Sequence, residues 1–140
     1  MRKFSLVLMA ISLTSLSWSQ STEWVLYENI DGVNVFTKEV DCYAKNIPDQ
    51  KAVLIKVENT TNDACTIEWD EVIWYNGIQH TKNLTDGENH ATVELEKKQT
   101  KSGDCEVPRG ALYIFSDFIT YDSDTKLSKF ELQNIKVTRL

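Results

Sequence analysis

The segment NDACTIEWDEVIWYNG, residues 62–77, concentrates the aromatic and acidic side chains that could bind a ligand or take part in chemistry. Trp74 and Tyr75 are candidates for an aromatic platform, because flat rings offer a large contact area and lose little conformational entropy on binding. The competing interpretation is core packing, which is the usual role of tryptophan on a sandwich strand. Trp69 shares its strand parity with Ile67, which favours the core for Trp69 and leaves Trp74 and Tyr75 as the ligand-binding candidates.

The two histidines, His80 and His90, lie in a polar segment that also contains Asp86 and Glu88. Two imidazoles and a carboxylate brought together by a loop could hold zinc or copper. The segment lacks the short HxH or HxxxH spacing of many metal sites, so solvated histidines are the competing interpretation. We therefore predict no cofactor, and His80 and His90 stay as metal-ligand candidates.

No motif in the sequence predicts nucleophilic or phosphate chemistry. The chain has neither a GxSxG elbow nor a phosphate-binding glycine loop. Asp122 and Asp124 form a DxD pattern that suits calcium, but the other ligands of an EF-hand loop are missing, which favours a plain turn. The sequence thus favours a protein that is not an enzyme, with a small hydrolase that uses a carboxylate pair as an alternative.

The first 19 residues have the parts of a secretory signal peptide. Arg2 and Lys3 precede an apolar stretch that is shorter than the roughly 20 residues a membrane-spanning helix needs. Ser17 and Ser19 supply the small side chains of a cleavage site, which predicts cleavage after Ser19. We expect an exported protein, periplasmic or extracellular, in which residues 20–140 form one domain without membrane insertion.

The charge of the chain excludes some classes of partner. The formal net charge is −6, and removal of Arg2 and Lys3 with the leader takes it to −8. A domain this acidic repels the phosphates of nucleic acids and the surfaces of anionic membranes. The partner we expect is a protein or a glycan.

The three cysteines predict one disulfide, because export places them in an oxidising compartment. Cys65 shares its parity with Ile67 and Trp69, as a buried free cysteine would. Cys42 and Cys105 lie in polar, proline-containing contexts, so we favour the pairing Cys42–Cys105, with the other two pairings left open.

Short runs of β-forming residues separated by turn signals dominate the rest of the chain, and helical periodicity is almost absent. The predicted strands are residues 23–30, 33–40, 52–59, 65–75, 91–96, 111–120 and 127–140. Seven or eight antiparallel strands that each bury one face predict an all-β fold, namely an immunoglobulin-like or related β-sandwich. A closed β-barrel is the alternative.

Three strands carry irregular patterns. Beyond Asp70 the alternation becomes ambiguous, which predicts either a bulge that flips the buried face or a strand end covered on both sides. Residues 111–120 are apolar on both parities, which predicts a central strand. The last strand changes parity near Gln133 and Asn134, which predicts a bulge there.

The segments DGVNVFTKEVDC, LIKVENTTNDACTIEWD and ALYIFSDFITYD, together with the SxSQ end of the leader, carry an overall pattern. In this pattern the chain resembles small exported β-rich proteins of Bacteroidota. The resemblance implies export and a β-rich fold, and it transfers no active site. The function we predict is a non-catalytic binding or accessory module, with a small zinc- or copper-binding protein as a further alternative.

Overall fold

The computed structural model describes residues 23–81, 89–108 and 110–140. Within these ranges the chain forms nine β-strands. They are β1 (Val25–Ile30), β2 (Val33–Cys42), β3 (Gln50–Asn59), β4 (Cys65–Tyr75), β5 (Ile78–Gln79), β6 (His90–Leu95), β7 (Thr100–Ser102), β8 (Tyr113–Phe118) and β9 (Leu127–Arg139). The predicted signal peptide lies outside the described residues. In the described part of the chain, no helix is long and apolar enough to cross a membrane.

The strands form two antiparallel sheets that do not join into a closed barrel, as expected for the predicted β-sandwich. In sheet A, β2 lies between β1 and β3, and β3 also pairs with β7 and β8 at different parts of its length. In sheet B, β4 is central and pairs with β5, β6 and β9. The short strands β5 and β7 are the two that the sequence patterns did not predict.

The core lies between the inward faces of β3 and β4. Alternate residues of β3 face alternate residues of β4, because successive side chains of a strand point to opposite faces. The fully buried members of this layer include Val35, Ile55, Val57, Cys65, Ile67 and Trp69. Trp69 is therefore a core residue and Cys65 a buried free cysteine, as predicted.

The ambiguous half of β4 is a strand end covered on both faces. Ile73 keeps the inward parity of Trp69 and packs against the core, and Tyr75 continues it by bonding to the opposite sheet. Val72 points the other way and is nevertheless buried. The bulge lies on the partner strand β9, where Asn134 adopts a φ of 53° and the register with β4 shifts.

The prediction of a central position for β8 is wrong. Within the described residues β8 pairs only with β3. Ile114 faces the core, while Tyr113 packs with Cys42 and Leu54 in a second apolar cluster on the outer face of sheet A. The strand is apolar on both parities because sheet A is covered on both faces, and not because strands flank it on both sides.

The loop between β7 and β8 contributes Cys105 to this outer cluster, while its residues Ala111 and Leu112 pack against the main core. Both ends of the loop meet at Ile55: the Gly103 amide donates to the Ile55 carbonyl at 2.9 Å, and the Ile55 amide donates to the Leu112 carbonyl at 3.0 Å. A Cβ atom on Gly103 would lie 2.0 Å from the Leu112 oxygen, so only glycine fits this crossing. The predicted disulfide Cys42–Cys105 then fastens the loop to the end of β2.

A buried asparagine organises the opposite end of the sandwich. Asn59 is only 1% exposed, yet all of its hydrogen-bonding groups are used. Its amide nitrogen donates to the carbonyls of Asp63 and Glu96, and its oxygen accepts from the amide and hydroxyl of Thr61. The side chain thus joins the turn after β3 to the end of β6.

The disulfide should supply a large part of the stability of the fold. It joins residues separated by 63 positions, and closing a loop of that length restricts the unfolded chain by about 4 kcal/mol. We expect Cys42→Ala/Cys105→Ala to lower the free energy of unfolding in urea by up to that amount. Cys65→Ala, which removes a buried sulfur but no bond, should cost far less. Equal stabilities of the double variant and the native protein would contradict this assignment.

Candidate functional site

The outer face of sheet B carries Trp74 among polar side chains. Trp74 is half-buried and lies in register between Gln79 of β5 and Lys129 of β9. The Lys129 ammonium is 4.6 Å from the centre of the Trp74 ring and forms an ion pair with Glu131 at 2.8 Å. The indole ring is thus held on a strand of the scaffold and bordered by groups that can donate and accept hydrogen bonds.

Tyr75, the other predicted ligand-binding candidate, lies on the opposite face of β4. Its hydroxyl donates to the Phe115 carbonyl of sheet A at 2.9 Å, and its ring packs at 6.4 Å from the ring of Phe115. Burial raises the pKa of Tyr75, and the nearby Glu71 carboxylate raises it further. The structure therefore does not bring Trp74 and Tyr75 together as one platform.

A charged cluster lies further along the same outer face. The His90 Nδ1 atom is 2.8 Å from the Asp70 Oδ1 atom, and the His90 Nε2 atom is 3.7 Å from the Glu68 Oε2 atom. The Asn134 side chain donates to the other oxygen of Asp70 at 2.9 Å. The positive φ of Asn134 belongs to the β9 bulge, so the bulge places this amide beside Asp70.

The contacts between His90 and Asp70 favour the charged form of both side chains. The hydrogen bond that His90 donates to Asp70 raises the pKa of His90, and the negative charges of Asp70 and Glu68 raise it further. In return, the hydrogen bonds from His90 and Asn134 lower the pKa of Asp70. Protonated His90 is therefore stabilised between two carboxylates on an exposed sheet face.

The interior contains one carboxyl group with an unusual environment. Glu71 follows the inward parity of Trp69, and burial raises its pKa from 4.5 to about 7. The Trp69 indole N–H lies close enough to lower that pKa slightly, but the Trp69 Nε1 and Glu71 Oε1 atoms, both sealed from solvent, lack hydrogen-bond geometry to any partner in the described structure. The loss of solvation therefore has the largest effect on the pKa of Glu71.

Glu71 does not share a face with the acids nearest to it along β4. Glu68 and Asp70 have the opposite parity and point to the outer face, as their contacts with His90 show. A glycosidase-type hydrolase needs two carboxyl groups that face one substrate. The acid with the raised pKa and the acids of the outer face are thus separated by the sheet itself.

The predicted metal candidates also lie on different faces. The His80 ring makes an edge contact with Tyr75 at 5.6 Å, whereas His90 bonds to Asp70 on the outer face. In the described part of the chain, no group of three or more His, Cys, Asp and Glu side chains could hold a metal ion. Asp86 and Glu88, which the metal hypothesis also invoked, lie outside the described residues, so that hypothesis stays a prediction.

Sequence reasoning missed a second surface on the outer face of sheet A. Its members are Trp24, Leu26, Phe36, Lys38 and Lys56, which we call the Trp24 patch. The Lys56 ammonium is 4.8 Å from the Trp24 ring and 4.4 Å from the Phe36 ring, and the Lys38 ammonium is 5.7 Å from the Trp24 ring. The alternation along β2 indicates that Phe36 and Lys38 lie on the same face. It gives no sign that β3 pairs with β2 and brings Lys56 beside them.

The buried Glu71 predicts a pH-dependent stability. Its pKa is 4.5 in the unfolded chain and about 7 in the fold, so folding favours the protonated form. The ionised Glu71 carboxylate therefore destabilises the fold. This destabilisation reaches its full size above pH 7 and disappears below pH 4.5. Glu71→Gln should therefore raise the free energy of unfolding by about 2–3 kcal/mol at pH 8 and change it little at pH 4.

Urea unfolding at the two pH values measures this difference. Glu68→Gln, on the outer face of the same strand, controls for the loss of one negative charge. An equal effect of Glu71→Gln at pH 4 and pH 8 would contradict the ionisation of a buried carboxyl group.

The Asp70–His90 contact predicts a shift that nuclear magnetic resonance can measure. Asp70→Asn removes the carboxylate that raises the pKa of His90, so the midpoint of the His90 imidazole titration should move to lower pH. Asp122→Asn removes an equal charge from a turn and serves as the control. A midpoint that both substitutions move equally would mean that general charge, and not this contact, sets the pKa of His90.

Known proteins add no assignment to these surfaces. Comparisons of the chain with models of protein families, with curated proteins and with solved structures found no match. The functional conclusion therefore depends on the geometry of the two outer faces and of the interior acid.

Proposed function

We propose that this protein is an exported, non-catalytic binding module that holds a neutral saccharide on the outer face of sheet B. The observation that carries the proposal is the Trp74 ring, fixed on a strand between Gln79 and Lys129. An aromatic ring packs against the apolar C–H face of a sugar ring, and neighbouring amide, carboxylate and ammonium groups bond its hydroxyls.

The position of Trp74 limits the cost of binding. The Trp74 side chain is partly buried on the sheet, so little side-chain freedom remains to be lost when a ligand stacks on it. The Lys129 ammonium that lies over the ring is held there by an exposed cation–π contact, which is worth only about 0.5–1 kcal/mol. A sugar ring therefore displaces this ammonium at small cost.

The charges around Trp74 favour a neutral ligand over an anionic one. The Lys129 ammonium is paired with Glu131, and Lys129 in turn lowers the pKa of the Glu131 carboxyl. The local charge is therefore close to balanced.

The proposed exported location is supported by the disulfide. The bond between Cys42 and Cys105 is compatible with an oxidising compartment, which the periplasm and the cell exterior both are. A saccharide ligand would be available in either place. The predicted signal peptide points to the same route.

Removal of the Trp74 ring tests the proposal. Native protein is titrated with neutral oligosaccharides of glucose, xylose, mannose and N-acetylglucosamine, and binding is followed by calorimetry and by tryptophan fluorescence. Trp74→Ala should weaken the interaction at least about tenfold, because a central aromatic anchor is lost. Trp24→Ala, which removes a lysine-contacted tryptophan from the other sheet, is the matched control and should leave the affinity unchanged.

Two results would overturn the proposal. One is the absence of binding to every sugar of the panel by folded native protein, and the other is an equal affinity of the Trp74→Ala variant. The same mixtures are assayed for new reducing ends. Their release by native protein would identify a hydrolase instead of a binding module.

A further inference from the structure

The Trp24 patch holds two lysines, Lys38 and Lys56, whose ammonium groups contact aromatic rings. Among the described residues, neither Lys38 nor Lys56 forms an ion pair with a carboxylate, although Lys126, Lys129 and His90 do. Aromatic rings hold the two ammonium groups instead. Lys38 and Lys56 are half-buried, and a ring fixes the position of a cation without cancelling its charge.

The strand register places the two ammonium groups side by side. Phe36 of β2 lies opposite Lys56 of β3, and Lys38 is the next residue of β2 on the same face. Such diagonal neighbours have Cβ atoms roughly 7–8 Å apart. Trp24 lies within cation–π distance of both, so one indole ring joins the two lysines into a single surface.

The patch also presents apolar area to a ligand. Leu26 lies opposite Phe36 in the register of β1 and β2 and is 54% exposed. Trp24 and Phe36 are half-buried, so their rings are anchored by the sheet while one side remains accessible. The patch thus combines partly buried aromatic rings with two ammonium groups. Such a surface matches a ligand that has both a flat apolar face and regularly spaced negative charges.

From this charge complementarity we infer a second binding site, on the Trp24 patch, for an acidic polysaccharide. The C–H faces of the sugar rings pack on Trp24 and Leu26, and the carboxylate or sulfate groups bond to the ammonium groups of Lys38 and Lys56. The net charge of −6 repels any polyanion at long range, so the attraction comes at close range from the two lysines of the patch. The site goes beyond the proposed saccharide site, since it uses the other sheet and a ligand of different charge.

The test compares two polymers that share one backbone. Dextran sulfate is the acidic probe and unmodified dextran the neutral one, and binding is measured by biolayer interferometry in 50 and 500 mM NaCl. Native protein should bind dextran sulfate and lose most of that affinity at the higher salt concentration, because the ion pairs are exposed. Lys38→Gln/Lys56→Gln should weaken the binding about tenfold.

Three control variants keep the interpretation specific. Lys45→Gln/Lys97→Gln removes two exposed lysines elsewhere and changes the net charge equally, so it should retain the native affinity within about twofold. Lys38→Arg/Lys56→Arg keeps the charge and should bind as the native protein does. The dextran sulfate and dextran titrations are repeated in the Trp74→Ala variant, so that glucose units bound at the proposed saccharide site do not contribute and the two tests fail or succeed separately.

Three results would overturn the inference. The first is the absence of affinity of native protein for dextran sulfate. The second is an equal loss of affinity in the Lys45/Lys97 and Lys38/Lys56 variants, which would indicate non-specific attraction. The third is binding of poly-glutamate to the patch as tightly as dextran sulfate, which would assign the site to an acidic peptide.

Discussion

The packing of β3 against β4 is the constraint on which the rest of the structure depends. Ile55 and Val57 of sheet A and Ile67 and Trp69 of sheet B are all fully buried in one layer. Each such side chain contributes about 1.5–3 kcal/mol when it leaves water, and all of them are inward residues of alternating strands. The core buries the side chains on one face of both central strands, so only the side chains on the other face are available to contact a ligand. This division explains why both candidate binding surfaces lie on outer sheet faces.

Two polar side chains on the inward parity, the buried Asn59 and the partly buried Glu71, differ in how they meet the cost of leaving water. Asn59 is buried and fully hydrogen-bonded, so it fixes a turn without a desolvation penalty. Glu71 is on the same side of its strand as Trp69, and its carboxyl oxygen has no such partners. The penalty therefore appears as a raised pKa. An acid kept in this position makes the interior sensitive to pH near neutrality, whereas an asparagine does not.

Local patterns were sufficient to predict the sandwich, because a few residues are enough to show the two-residue alternation of each strand and the turn residues at its ends. The seven long strands, the burial of Trp69 and the bulge near Asn134 all follow from alternation and its interruptions. The position of β8 could not be read in this way. A strand with two apolar faces has the same sequence pattern whether it has a neighbour on each side or, as here, lies at a sheet edge with one face in the main core and the other in the cluster around Cys42–Cys105.

The candidate site was less predictable than the fold, because a site depends on which strands become neighbours. Trp74 is conspicuous in the sequence, but the separation of Trp74 from Tyr75, and of His80 from His90, follows from the two faces of one sheet. Trp24 and Lys56 are 32 positions apart, and only the register of β2 with β3 brings Lys56 beside Lys38. Contacts between strands that distant in sequence leave no local signal.

The two outer faces differ in whether a lysine forms an ion pair with the acid two residues away on the same strand. Lys129 is two residues from Glu131 on one strand face, and the two side chains pair. Lys56 is likewise two residues from Glu58, but the Glu58 carboxylate accepts a hydrogen bond from Asn34 on the neighbouring strand and forms no ion pair with Lys56. The two outer faces are turned away from each other, so a ligand bound on one face would leave the other face accessible.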